Sequence, residues 1–218
     1  LIVSEDGGSF YEVERFSTKQ NNINYELNLN ISLETDIIDG LVEVSYNGIS
    51  DNYLRHFYNT MDKKSFTEYV NAFFEEVLGN QELTGISYTD VSQNLNFKGD
   101  ILIQGKTFSD TNNRYLFLDF LPRLFENIER ETLIEGIYIG NNFEKTLTAN
   151  INLNESVEKI ETIKHNFETE GVSLFVEIVS VSDKKIQCKY KFVFDYIIVN
   201  NKNLEKIFNH NESIIFYR

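Results

Sequence analysis

Residues 25–34 read YELNLNISLE. Tyr25, Leu27, Leu29, Ile31 and Leu33 alternate without a miss with Glu26, Asn28, Asn30, Ser32 and Glu34. Successive side chains of a strand point to opposite faces, so this stretch predicts a strand with one buried and one wet face. Asp39-Gly40 supplies a turn signal, and Val42, Val44 and Tyr46 then alternate with Glu43, Ser45 and Asn47. The two runs predict a β-hairpin with a loop longer than the tightest kind.

Beyond the hairpin the period changes. Leu54, Phe57, Tyr58 and Met61 fall at i, i+3, i+4 and i+7, which predicts a helix that Asp51 or Asn52 caps. A second helix is expected from Ser65, where Ser65 and Glu68 have capping-box spacing. Its stripe is Phe66, Tyr69, Val70, Phe73 and Val77, and Gly79-Asn80 ends it. Such a stripe must lie on an apolar surface, and the hairpin offers one. Strands are expected again over 83–91 and 97–107, where Phe97, Ile101 and Ile103 oppose Lys98, Asp100 and Gln104.

The second half is strand-rich. A polar turn over 109–113 leads into residues 114–140, RYLFLDFLPRLFENIERETLIEGIYIG, which hold the only proline, Pro122. Leu147, Ala149, Ile151 and Leu153 alternate with Thr146, Thr148, Asn150 and Asn152. Residues 172–181 are apolar on both faces, as expected of a central strand. After a turn over 182–185, Ile186, Cys188, Tyr190, Phe192, Phe194 and Tyr196 share one face. A short helix over 203–208 and a last strand over 214–217 are expected to close the chain. Asparagine is abundant, and its abundance is read as genome composition and not as a binding device.

The fold class expected is mainly β (α+β). An antiparallel sheet with a packed helical pair occupies a first module, 1–115. An antiparallel, β-sandwich-like second module occupies 116–218. The 114–140 stretch is the expected junction, with Arg130, between Glu129 and Glu131, as an ion-pairing anchor at the seam.

Composition bounds the function. The chain has 218 residues and a formal charge of −14. Residues up to Tyr115 carry 18 acids against 8 bases, and the remainder 16 against 12. An acidic surface repels phosphate backbones, so nucleic acid is not an expected partner. No apolar run approaches the ~20 residues of a membrane helix, so no membrane insertion is expected. One cysteine allows neither an intrachain disulfide nor a multi-cysteine metal site. The chain starts at Leu1 and reads at once like a strand, which is expected of a piece of a longer protein whose signal peptide would lie upstream.

No residue set gathers chemistry. Cys188 lies mid-strand on an apolar face, away from the helix N-terminus or histidine that would stabilise a thiolate. His56, His165 and His210 have no paired metal-ligand spacing. His56 is expected on a helix surface, His165 near a strand end and His210 in a polar loop. Asp110-Thr111-Asn112 lacks the glycine and the distal glutamate of a calcium loop. Glu75-Glu76 reads as a solvated helix face, and Gly7-Gly8 as a hairpin turn without the helix of a phosphate loop. Catalytic, cofactor-binding and metal-binding residues are therefore expected to be none. A pocket gathering His165 or His210 with two carboxylates would revive an enzyme reading. There is no tryptophan, and the twelve tyrosines fall mostly on apolar faces, which weakens a stacking sugar site.

The order of elements resembles the C-terminal region of exported bacterial transglutaminase-like proteins. LIVSEDGGSFYEV over 1–13 is similar to the strand pair that leaves the catalytic core of that family. Residues 24–46 and the helices after them resemble the following module. RYLFLDFLPRLFENIERETLIEG and then FEKTLTANINL resemble the start of the terminal domain. The family tends to show a large residue, an arginine and a proline-hydrophobic step here. This chain has Phe125, Arg130 and Leu133-Ile134, so that proline is missing. The Cys-His-Asp core of the family has no counterpart in these residues, and Cys188 does not match its cysteine, so no catalytic residue carries over. The resemblance implies a non-catalytic accessory region of a larger exported transglutaminase- or protease-like protein, periplasmic or at the bacterial cell surface. Its expected partner is the upstream transglutaminase-like domain of the same polypeptide. An autonomous module binding a surface glycan or protein is the alternative expectation.

Overall fold

A computed structural model of the chain describes residues 17–78, 83–91, 94–109, 114–117, 137–138, 142–158, 162–169, 171–195 and 198–199. The protein is mainly β, with a large mixed sheet and one helical pair in its first half.

The alternating run around Leu27 becomes β1 (Asn22–Ser32), which pairs antiparallel with β2 (Ile37–Tyr46). Helices α1 (Ile49–Thr60) and α2 (Lys63–Val77) follow. Next come β3 (Leu83–Val91), β4 (Asn94–Gln104) and a small hairpin of β5 (Thr107–Ser109) and β6 (Arg114–Leu116). The second half supplies β7 (Ile137–Tyr138), β8 (Phe143–Leu153), β9 (Ile163–Thr169), β10 (Val172–Ser182), β11 (Lys185–Phe194) and β12 (Ile198–Val199). Strands β7 and β12 pair with each other.

Eight of these strands form one sheet in the order β3-β4-β2-β1-β8-β11-β10-β9. Every neighbouring pair is antiparallel except β1 and β8, which run parallel at its centre. Strands from the first half of the chain and strands from the second therefore meet inside this sheet, along the β1–β8 seam. The four strands from the second half, β8-β11-β10-β9, are antiparallel among themselves. The expected junction lies largely outside the described residues. Pro122, Arg130, the expected helix over 203–208 and the expected strand over 214–217 lie outside them as well.

The register puts one apolar row after another on a single face. Phe97, Val44, Tyr25, Leu147, Tyr190 and Val176 are consecutive cross-strand partners, and so are Val42, Leu27, Ala149, Cys188 and Ile178. Both halves feed one hydrophobic core. Over the first-half strands this face is covered by α2, whose Phe66, Val70 and Phe74 are buried, as is Leu78 just past its end. Phe74 meets Phe97 edge-on at 5.5 Å between ring centres, and Phe97 meets Tyr46 in the same way at 5.8 Å. Edge-to-face packing lets the positive rim of one ring meet the negative face of the next.

Several local expectations are corrected. Asp39-Gly40 is not the turn: both residues lie inside β2, opposite Asn30 and Leu29, and the turn is 33–36 with Asp36 at φ 54°. Gly40 stands in the strand because no other residue fits. A Cβ there would lie 2.1 Å from the Asn28 carbonyl oxygen, and its φ is 156°. Neither Asp51 nor Asn52 caps α1. Asn21 does so from outside the helix by accepting the Ile49 N–H at 3.1 Å, while Asp51 forms a two-point ion pair with Arg55 at 3.0 and 3.1 Å. The cap of α2 is Asp62, not Ser65, because its carboxylate accepts the backbone N–H groups of Lys64 and Ser65 at 2.9 and 3.1 Å. The buried edge of α2 also includes Phe74, beyond the expected stripe, and Leu78 is buried just after the helix ends. The strand expected over 97–107 breaks at Gly105, dividing β4 from β5. Finally, β10 lies one strand from the edge of the sheet and not at its centre, and its outer-face Phe175 is 37% exposed.

Candidate interaction surfaces

The residues weighed for chemistry are scattered. Cys188 is buried opposite Ala149 and Ile178, and burial pushes its thiol up to about 12. A thiol with that value stays protonated at neutral pH and is no nucleophile. His165 lies near the start of β9, as expected, in register with Val176 on the apolar-face side of the sheet. His56 is exposed on α1, its ring 5.7 Å from that of Phe57. Glu75 is exposed on α2. His210, Asp110-Thr111-Asn112 and Gly7-Gly8 lie outside the described residues. Among the described residues no three metal-ligating side chains come together, and no helix is long and apolar enough to cross a membrane.

Two exposed surfaces remain. The first is the β5–β6 hairpin. Phe108 and Tyr115 are direct cross-strand partners with ring centres 5.9 Å apart. Phe117 lies just past β6, two residues after Tyr115, and its N–H donates to the Lys106 carbonyl at 2.8 Å, which continues the pairing, so alternation puts all three rings on one side. They are 56%, 45% and 37% exposed. The base of this hairpin is held by Asp36, whose Oδ1 accepts the Lys106 N–H at 3.2 Å and the Thr107 N–H at 2.8 Å. Desolvation raises the Asp36 pKa. The Thr107 side chain and the backbone of Thr107, Lys106 and Gly105 donate to the carboxylate and together outweigh this, so the group sits below its ordinary value.

No protein-family model matches the chain, and no curated protein or solved structure is significantly similar to it. Function must therefore be argued from these surfaces.

The second surface is the outer face of the large sheet. Along the β1–β8 seam its side chains hydrogen-bond across the strands. Thr146 donates to Asn24 at 2.6 Å, Asn150 to Asn28 at 3.2 Å and Asn152 to Asn30 at 3.3 Å. Gln187 extends the ladder to β11 by donating to Asn150 at 3.0 Å. In a parallel in-register pair, like amides stack at one height and each can donate to the next. The abundant asparagine therefore has a structural role at this seam that composition did not reveal.

Charge flanks the ladder asymmetrically. On one side lie Glu26, Asp39, Glu43 and Asp100, with Lys98 ion-paired to Glu43. On the other lie Lys185, Lys189, Lys191 and Lys164, with Glu177 bonded to Lys164 at 2.6 Å and Glu144 bonded to Lys191 at 3.0 Å. The Lys164 hydrogen bond is the largest influence on Glu177 and lowers its pKa; desolvation opposes it, and the charges of Lys164 and Lys189 add to the lowering. The tyrosines of the large sheet do not face this way: Tyr25, Tyr46, Tyr88 and Tyr190 pack into or against the core.

Proposed function

We propose that the chain is a non-catalytic accessory region of a larger exported transglutaminase- or protease-like protein, which packs on its catalytic core or presents it. The observation that carries this reading is the β5–β6 hairpin. Three exposed aromatic rings sit on one side of a short two-stranded element whose base is tied to the β1–β2 turn through Asp36. Aromatic side chains offer large contact area at low entropic cost and are enriched in the buried centres of interfaces. The placement of Cys188 supports the same reading, because a buried, protonated thiol in mid-strand serves packing and not catalysis. The resemblance of residues 1–13, 24–46 and 114–153 to the tail of transglutaminase-like proteins supplies the expected partner.

The alternative, an autonomous module for glycan, finds less support. Sugar sites on β-sheets stack rings against pyranose faces, and along the β1–β8 seam the outer face of this sheet presents amides and charges, with Phe175 its exposed aromatic ring among the described residues.

Expressing the parent protein with and without residues 1–218 tests the proposal. Removal should lower the melting temperature of the catalytic core or change its turnover or binding. A core whose stability, activity and binding are all unchanged would overturn it.

A further inference from the structure

We infer that the outer face of the sheet is self-complementary and pairs two copies of this chain about a twofold axis running along the β1–β8 seam. The sheet has eight strands, and this seam divides it four and four. A twofold axis parallel to the strands and above the seam swaps the two halves while preserving height along the strands. It therefore sets β2 of one copy over β11 of the other, and β4 over β10.

The register then decides which side chains meet. Glu43, Glu26, Thr148 and Lys189 are successive cross-strand partners at one height, with Lys98 and Glu177 next to the outer members. The rotation places Glu43 opposite Lys189 of the second copy, and Lys98 opposite Glu177. Four residues along, Asp39, Asn30, Asn152 and Lys185 are again successive partners. There Asp39 comes to face Lys185 of the second copy. At the axis, the amides of Asn28 and Asn30 face those of Asn150 and Asn152, and each retains hydrogen-bonding capacity after its intrachain bond. The charges of the Glu43 and Asp39 rows thus meet opposite charges under this one operation, while in the row between them Leu41 faces Gln187 and Asp100 faces Val179 of the second copy.

The dimensions agree with a stable pair. The six inner strands span about 24 Å across and about 33 Å along, so each copy would contribute about 800 Å², the usual contribution per partner to a specific interface. An isologous interface repeats each contact twice, so a modest ion pair counts double. The inference does not depend on the accessory role proposed above.

Sedimentation velocity on the full chain across a concentration series tests it. The wild type should form a dimer. E43K and K189E should each raise the dissociation constant by about tenfold or more, because two like-charge contacts replace two favourable ones. Mixing E43K with K189E should restore a heterodimer of near wild-type affinity, since opposite charges then meet at both contacts. Circular dichroism melts of each variant separate a failed fold from a failed interface, and the mixing experiment requires no new fold. A wild type that stays monomeric at the highest concentration reached would overturn the inference. So would a dimer indifferent to both reversals, which would place the contact on another surface, or folded single variants that do not pair with each other.

Discussion

Asn21 and Asn142 join the two halves of the chain at the head of the sheet: the Asn21 side-chain amide donates to the Asn142 carbonyl at 2.6 Å. The oxygen of the same Asn21 side chain accepts the Ile49 N–H at the start of α1, and the Asn21 carbonyl accepts the Glu144 N–H at 3.0 Å. One buried residue thus fixes the first strand, the first helix and the first long strand of the second half relative to one another.

Replacing Asn21 should cost more than an ordinary helix cap. Asn21→Ala removes both side-chain bonds and leaves a helix N–H and a carbonyl near buried surroundings. The expected loss is about 2 kcal/mol or more. Asn21→Asp keeps an acceptor for Ile49 but cannot donate to Asn142, so it too should destabilise. Urea unfolding midpoints check both. An Asn21→Ala protein as stable as the wild type would show that the clamp is dispensable.

Gly40→Ala should be among the most damaging single substitutions in the sheet. The added Cβ meets the Asn28 backbone oxygen at 2.1 Å, and backbone in the middle of a sheet cannot swing aside. Together with the unfavourable φ the cost is about 3 kcal/mol or more. Equilibrium unfolding or soluble yield reads the effect. Gly105→Ala is the control: its φ is +76° but open space surrounds its Cβ, so the cost there is strain alone.

Asp36 gives the β5–β6 hairpin an acid limit. Its folded pKa is lowered below the ordinary 3.8. A depressed carboxylate contributes stability that is present above the unfolded value and lost as pH falls through the folded one. The hairpin should therefore stay anchored at neutral and mildly acidic pH and loosen only below the usual carboxylate range. Amide chemical shifts of Lys106 and Thr107 followed through an acid titration report this directly. Asp36→Ala should loosen the hairpin at every pH, and an unchanged hairpin in that variant would contradict the anchoring role.

Cys188 should be inert in the folded protein. Its thiol is buried and pushed up to about 12 by desolvation, so alkylation should proceed only through unfolding and accelerate in denaturant. Cys188→Ser puts a hydroxyl among Ala149 and Ile178 and should cost about 1–3 kcal/mol. Fast native-state reaction with a thiol probe would contradict this assignment.

Much of the sheet was legible in the sequence because half-buried strands write their period directly, as residues 25–33, 147–153 and 186–194 do. The seam was not legible. Tyr25 and Leu147 are cross-strand partners separated by more than a hundred residues, and no local pattern encodes such a pairing. Gly40 misled because a glycine after aspartate usually marks a turn, whereas here it marks the close approach of another strand. Residues 172–181 misled because apolar residues on both faces normally mean burial on both, while Phe175 and Val181 are exposed. The cap of α2 was misplaced by one turn because Asp62 and Ser65 are both good caps, and only the fold chooses between them. The hairpin aromatics were missed as a surface: Tyr115 sits at the edge of the dense apolar run over 114–140, which reads as core from composition alone.

Binding of the upstream core to the hairpin tests the proposed role most directly. The transglutaminase-like core, supplied as a separate chain, should co-elute with residues 1–218 in size-exclusion chromatography. The Phe108→Ser, Phe117→Ser double variant should lose that co-elution while keeping the wild-type melting curve, because both rings are exposed. Equal co-elution of the folded double variant, or a gene that encodes no such core, would contradict the account.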